Sequence, residues 1–245
     1  MTSLSRLLLT IAASTAVAAR APSLALAQAS TGTPAFKPSA RASDALVLGA
    51  AGAGSVALMR YDREIGDWFR QPRFQHSGEW RGTMTGARLF GDPGAIIIGA
   101  GLWAGGALSH DQTTSIDGLR SLEAITVASV VTWAVKGIAG RARPYADSTN
   151  SHDWRLGRGF GGDGRYQSFP SGHTTAAFAF AAAMTARVAQ RSTADGQWMG
   201  PLLYGAAALT GASRIYDQKH WASDVLLGAA IGTVGGLVVV RSHGR

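Results

Sequence analysis

Three groups of residues in the second half of the chain carry the side chains that phosphate chemistry needs. The first is Lys136, six residues, then Arg143-Pro144; the second is Pro170-Ser171-Gly172-His173; the third is Ser213-Arg214, five residues, His220, three residues, Asp224. Lys136 and Arg143 are seven apart, about 20° short of two helical turns, so both side chains can reach one site from one helix face, which Pro144 then helps to end. Two cations near the end of an apolar helix are costly without an anion, and a phosphate dianion accepts hydrogen bonds from both. The same residues also suit a simpler part, in which Lys136, Arg141 and Arg143 snorkel at a helix end or satisfy its last carbonyls.

Ser171 suits the N-cap of the apolar run that follows His173, leaving backbone N–H groups free at the positive end of a helix dipole. Such an end is an anion site, to which Gly172 admits close backbone approach and Ser171 can add a hydroxyl donor. In the third group His220 and Asp224 are four apart, so on a helix the carboxylate can accept from the imidazole Nδ1–H. That fixes the tautomer whose Nε2 is unprotonated and able to attack phosphorus. Arg214 lies about 240° from His220 on a continuous helix, so residues 215–219 must break the helix and return. Taken singly, the second group also reads as an ordinary cap and the third as a surface ion pair.

Together the groups fix eleven residue identities in order within about ninety residues. Over residues 121–240 the chain resembles the type 2 phosphatidic acid phosphatase and vanadium haloperoxidase superfamily, whose signature consists of these three blocks. The resemblance implies that His220 is a nucleophile forming a phosphohistidine and that Asp224 orients it. It implies that His173 protonates the leaving alcohol and then activates water. Lys136, Arg143, Ser171, the Gly172 amide and Arg214 would bind the phosphoryl oxygens and stabilise the transition state. Three fixed cations would take the place of metal ions, and no side-chain cluster has metal-ligand spacing, so neither a metal nor another cofactor is expected.

The implied activity is that of a metal-independent phosphatase acting on a phosphomonoester or pyrophosphate, with a lipid favoured by the apolar Ala/Gly-rich helices. One alternative is a vanadate-dependent haloperoxidase, for which the chain is short. Another is a non-catalytic helical envelope protein, against which stands the retention of every cation, both histidines and the aspartate. Where many relatives have Tyr-Pro after the nucleophile, this chain has Trp221-Ala222, an exchange expected to loosen the start of the following helix. Asp217-Gln218-Lys219 is more polar than is usual and is a candidate for shaping substrate choice.

The elements that must position these residues read as helices. Apolar segments alternate with polar, Gly/Pro-punctuated ones, and none shows the period of two that marks a strand. The expected fold is all-α, a single bundle of about six helices covering residues 45–59, 95–108, 121–139, 173–190, 201–214 and 223–240, with Pro201 in a first turn. The longest uncharged stretches, 93–109, 198–213 and 225–240, fall short of the ~18 residues of a confident span. Mean hydropathy is only +0.07. Membrane association therefore stays open: small residues such as Gly228, Gly232 and Gly236 permit close helix contacts in lipid or in water. Trp103, Trp133, Trp198 and Trp221 are read as core side chains before interface anchors. The polar stretch 141–167 must sit outside lipid.

At the amino terminus Arg6, an apolar run over 7–19 and Ala25-Leu26-Ala27 suggest a signal peptide over 1–27, followed by a Ser/Thr/Pro-rich linker over 28–43 and a helical domain over 44–241. The expected location is the periplasm or its membrane face. Without cysteine the chain has no disulfide. The net charge of +8 becomes +6 without the two arginines of residues 1–27. That balance favours anionic partners, here a phosphorylated lipid or small-molecule phosphate; no basic arm or aromatic-interleaved stripe points to nucleic acid. His76, His110, His152 and His243 read as bystanders. Glu123, on the helix leading to Lys136, could balance the basic cluster.

Overall fold

The computed structural model describes residues 39–162 and 164–244. The expected signal peptide and most of the linker lie outside them. Within them the chain is helical, and no strand occurs beyond one isolated bridge between Arg141 and Trp154. The helices longer than about two turns are α1 (Ala42–Leu58), α2 (Asp62–Arg70), α3 (Gly78–Leu89), α4 (Ala95–Leu108), α5 (Gln112–Ala139), α6 (Gly172–Ala189), α7 (Thr193–Tyr216) and α8 (Ala222–Ser242), with one short α-helical turn over Pro72–Gln75. Seven of these are twelve residues or longer, close to the expected six.

Local chemistry explains two helix starts that differ from expectation. Helix α5 starts nine residues earlier than its apolar run because the Asp111 carboxylate accepts from the Thr113 and Thr114 amides at 3.0 and 3.2 Å. Helix α7 starts at Thr193, where Ser192 Oγ accepts from the Asp195 amide at 3.2 Å. Pro201 is therefore inside a helix and not in its first turn, since the serine cap sets the start two turns upstream. Helices α2 and α3 arise in the polar stretch 60–88, which has no long apolar run to announce them.

Helix α6 lies at the centre, packed against α5, α7 and α8, while α1 packs on α8, α4 on α5 and α3 on α7. The core between α5, α6 and α8 is built from small residues, Ala124, Ala128, Ala179 and Ala183, with Ile125, Phe180 and Ile231. Its seam is Gly228, Gly232 and Gly236. A Cβ at Gly228 would stand 2.6 Å from the Ser171 carbonyl oxygen and one at Gly236 2.6 Å from that of Ala179, while one at Gly232 would collide with that of Thr175. Backbone lies on backbone here, so the register of α8 against α6 is fixed to a single turn.

Among the described residues three stretches are long and apolar enough to cross a membrane: Ala42–Arg70, Gln112–Ala139 and Ala222–Ser242. The longest uncharged stretches of the sequence are a poor guide to them, because the first two carry charged residues near their ends and α4 has only 14 residues. Large apolar side chains face outward, including Leu46, Val56, Ile97, Val130 and Leu202. Three of the four tryptophans expected in the core are exposed, Trp198 at 83%, and only Trp221 is buried. An outward apolar surface of this extent is that of a membrane-associated protein.

Candidate active site

The three sequence blocks meet at one end of α5, α6 and α8. Helix α5 ends at Ala139, three residues after Lys136, and is capped by Gly140, which adopts φ 57° and whose Cβ would collide with the Arg155 carbonyl. Only glycine suits that left-handed turn. Lys136 and Arg143 consequently do not share a helix face, as their spacing suggested. Arg143 arrives on the loop beyond, where its amide donates to the Arg165 carbonyl at 2.9 Å. The loop is laced to the other blocks: the Tyr145 amide donates to the Gln218 carbonyl, the Ser168 amide to the Arg141 carbonyl, and Lys136 Nζ to the carbonyls of Gln167 and Pro170 at 2.6 and 2.7 Å.

Helix α6 begins at Gly172, with Ser171 as its N-cap residue. The Ser171 hydroxyl pairs with Thr174 Oγ1 at 2.8 Å in place of a helix amide, and the Ser171 amide donates to the Asp224 carbonyl. A Cβ at Gly172 would meet no protein atom within 4 Å, so an anion can approach its amide. His173 follows, with Nε2 4.0 Å from Asp92 Oδ2. Asp92 comes from the α3–α4 junction, which lies against the His173 carbonyl because Gly91 offers no side chain.

The chain does break after α7, as the phase of Arg214 and His220 requires. The Lys219 and His220 amides fold back onto the Arg214 carbonyl at 3.0 and 3.2 Å, and Gln218 takes φ 56°. Arg214 donates from one terminal nitrogen to Asp217 at 2.8 Å. Its Nε and that of Arg143 are buried without a hydrogen-bond partner. Burial lowers the pKa of both guanidiniums, and unsatisfied donors in such surroundings are costly until an anion accepts from them.

His220 departs from the expected pairing. It precedes α8, so the i,i+4 helical geometry does not apply, and its Nδ1 lies 2.6 Å from the Ser168 carbonyl oxygen but 3.7 Å from Asp224 Oδ2. A carbonyl only accepts, so Nδ1 carries the proton and Nε2 the lone pair. The tautomer is the expected one, fixed by a different acceptor. Burial pushes the imidazole down to about 3, with Lys136 adding to the shift and Asp224 opposing it. Burial and Arg214 likewise take His173 to about 4. Both rings are neutral at neutral pH in the free protein.

Asp224 is instead the N-terminal staple of α8. Its Oδ2 accepts from the Trp221 amide at 2.8 Å and the Ser168 hydroxyl at 2.5 Å, and its Oδ1 from Arg141 at 2.6 Å. Trp221 does not loosen this helix start: its side chain is buried, and its indole Nε1 donates to the Ala142 carbonyl at 3.0 Å. Sequence reasoning missed Ser168, Arg141 and Asp62, which surround Asp224. Arg141 differs from a snorkelling arginine only in its tertiary surroundings, and nothing in the local pattern singles out Asp62. Glu123 is not part of the site; it pairs with Arg120 and His243 at 2.9 Å, 13 residues or about 20 Å along α5 from Lys136. Among the described residues no group of His, Asp and Glu could hold a metal ion.

The PAP2 superfamily matches over residues 117–245, more than half of the chain, and the protein belongs to it. Its fold resembles that of a transmembrane PAP2-type phosphatidylglycerolphosphate phosphatase from Bacillus subtilis, with a TM-score of 0.57 at 22% identity, covering 80% of this chain and 92% of the other. A segment of 69 residues, 28% of the chain, is 46% identical to lipid A 1-phosphatase of Porphyromonas gingivalis, of which it covers 15%. A longer segment of 139 residues, 57% of the chain, is 27% identical to the putative undecaprenyl-diphosphatase YbjG of Escherichia coli, of which it covers 61%. The chain thus spans less than two thirds of the length of both curated relatives.

Proposed function

We propose that this protein is a metal-independent phosphatase that removes a terminal phosphate from a phosphomonoester or pyrophosphate of a lipid, through a phosphohistidine on His220. The reading is carried by the buried, unpartnered Nε atoms of Arg143 and Arg214 beside a histidine whose proton is held on Nδ1 by a carbonyl. The Nε2 lone pair forms the N–P bond while the P–O bond to the leaving group breaks. His173 donates the proton that the leaving oxygen takes up, then removes one from the water that cleaves the N–P bond. Lys136, Arg143, Arg214, Ser171 and the Gly172 amide hold the non-bridging oxygens, and electrostatic stabilisation of this kind dominates phosphoryl transfer. Asp224 orients this machinery through the start of α8.

A lipid substrate is supported by the outward apolar surface and the candidate spans, and by the names of the curated relatives. In this reading the helices form one bundle in the membrane of an exported protein, with the site facing the periplasm. The test is phosphate release from detergent-solubilised protein across a panel of phosphatidic acid, phosphatidylglycerophosphate, a polyprenyl diphosphate, lipid A and a soluble aryl phosphate. The reading expects at least one lipid to be turned over faster than the aryl phosphate. Turnover of none of them, with vanadate-dependent halide oxidation instead, would overturn it.

A further inference from the structure

Arg141 is wholly buried between two carboxylates. One terminal nitrogen donates to Asp224 Oδ1 at 2.6 Å and to Ser223 Oγ at 2.7 Å; the other donates to Asp62 Oδ2 at 2.7 Å and to the Ser151 carbonyl at 2.7 Å. Asp62 in turn accepts from the Ser223 amide at 2.9 Å and hydroxyl at 2.6 Å. All three charged side chains have zero exposure. Trp154 and Trp221 stack near the guanidinium at 4.9 and 5.6 Å, so water does not reach it from those sides.

The charges in this knot do not cancel. Two carboxylates face one guanidinium, which leaves a surplus negative charge out of water, where it is costly. One carboxylate would serve a purely structural pair with Arg141. Besides Arg141 and the Trp221 amide, Asp224 meets the Ser168 hydroxyl and lies 3.7 Å from the His220 ring, with the charges of Lys136 and Arg143 in electrostatic reach. Attack by a neutral imidazole that keeps its Nδ1 proton places positive charge on the ring as the N–P bond forms. Lys136, Arg143 and Arg214 face the phosphoryl oxygens and oppose that charge. Resting on the phosphohistidine reading, we infer that Asp62 is a positioning residue: by engaging Arg141 it leaves Asp224 with unneutralised negative charge, which stabilises the ring cation of the transition state. Asp62 lies on α2, outside the segment matched by the family, so this chain draws part of its catalytic electrostatics from its amino-terminal helices.

The test is Asp62→Asn, which keeps shape and one acceptor for the Ser223 amide but removes the charge. Two quantities are read on the full chain, kcat on the best substrate of the panel and inhibition by inorganic phosphate, a ligand that places no charge on the ring. The expected result is a fall in kcat on the order of 10- to 100-fold, typical of outer-shell partners, with phosphate inhibition unchanged or tighter, and recovery of kcat in Asp62→Glu. A kcat within about threefold of the parent, or parallel loss of kcat and phosphate binding in folded protein, overturns the inference. Should Asp62→Asn not fold, Arg141→Lys is judged by the same pair of readouts, since lysine keeps the charge but cannot bridge both carboxylates. Failure of the functional reading is separate from this, because it shows as absent turnover in the unsubstituted chain.

Discussion

Nδ1 of His220 stands 2.6 Å from the peptide oxygen of Ser168 and 3.7 Å from Oδ2 of Asp224. The tautomer is thus set by the main chain, and Asp224 acts on the ring by charge and through the Ser168 hydroxyl that it accepts. His220→Ala should abolish turnover by at least about a thousandfold, and acid-labile phosphate should be trapped on the parent but not on the variant. Asp224→Asn should retain the tautomer, yet lower kcat and also Tm, because an amide cannot serve Arg141, Ser168 and the Trp221 amide together. Wild-type Tm in Asp224→Asn would contradict the stapling role.

The low pKa of His173 makes anion binding a proton-linked event. Free His173 titrates at about 4. A dianion beside it raises that value, so between the two the complex holds more protons than the free protein, and affinity falls as pH rises through that window. Binding of tungstate, a dianion throughout the neutral range, should take up as much as about one proton, measured by calorimetry in buffers of different ionisation enthalpy. His173→Gln should bind without uptake; equal uptake in that variant would assign the proton elsewhere.

A general acid matters most for a poor leaving group. His173→Ala should slow release of an alkyl phosphate by about 100-fold or more and of p-nitrophenyl phosphate far less, both measured in single turnover. Equal factors for the two would make His173 a phosphate ligand only.

Phosphate release should persist in EDTA, since no described group of side chains suits a metal. Loss of activity in chelator with recovery on adding a divalent ion would count decisively against fixed cations as the charge-stabilising groups.

The glycine seam gives a stability test with an internal control. Gly232→Ala forces a methyl against the Thr175 carbonyl and should destabilise by about 1–3 kcal/mol, read as a fall in Tm. Gly101→Ala, where nothing lies within 4 Å, should be neutral or raise Tm, because alanine suits a helix interior better than glycine.

Much of this was legible in the sequence, and the exceptions share a cause. The helical class and the helix Ala95–Leu108 follow from apolar runs and the absence of strand periodicity, and the break between Arg214 and His220 follows from their phase. Helices α2 and α3 were hidden because their apolar residues are few and meet partners only in the tertiary fold, Phe69 and Met84 packing with Phe74 of the intervening segment and Tyr216 of α7. The shared helix face assigned to Lys136 and Arg143 ignored Gly140, which can end a helix four residues after the lysine. The direct His220–Asp224 bond assumed a helix through both residues, whereas α8 starts between them. Asp62 could not have been found, because its value depends on Arg141, 79 residues away.

The seam of Gly228, Gly232 and Gly236 also decides where this protein can change over generations. The outward positions, such as Leu46 and Ile97, can exchange one aliphatic residue for another without moving the site. No such drift is open to the seam, where even a methyl group would push α8 away from α6 and carry Asp224 off the Ser171 amide that its carbonyl accepts from. Substitution can therefore retune the periphery to bilayers of different thickness or composition while the interval between the Gly172 turn and Asp224 stays fixed.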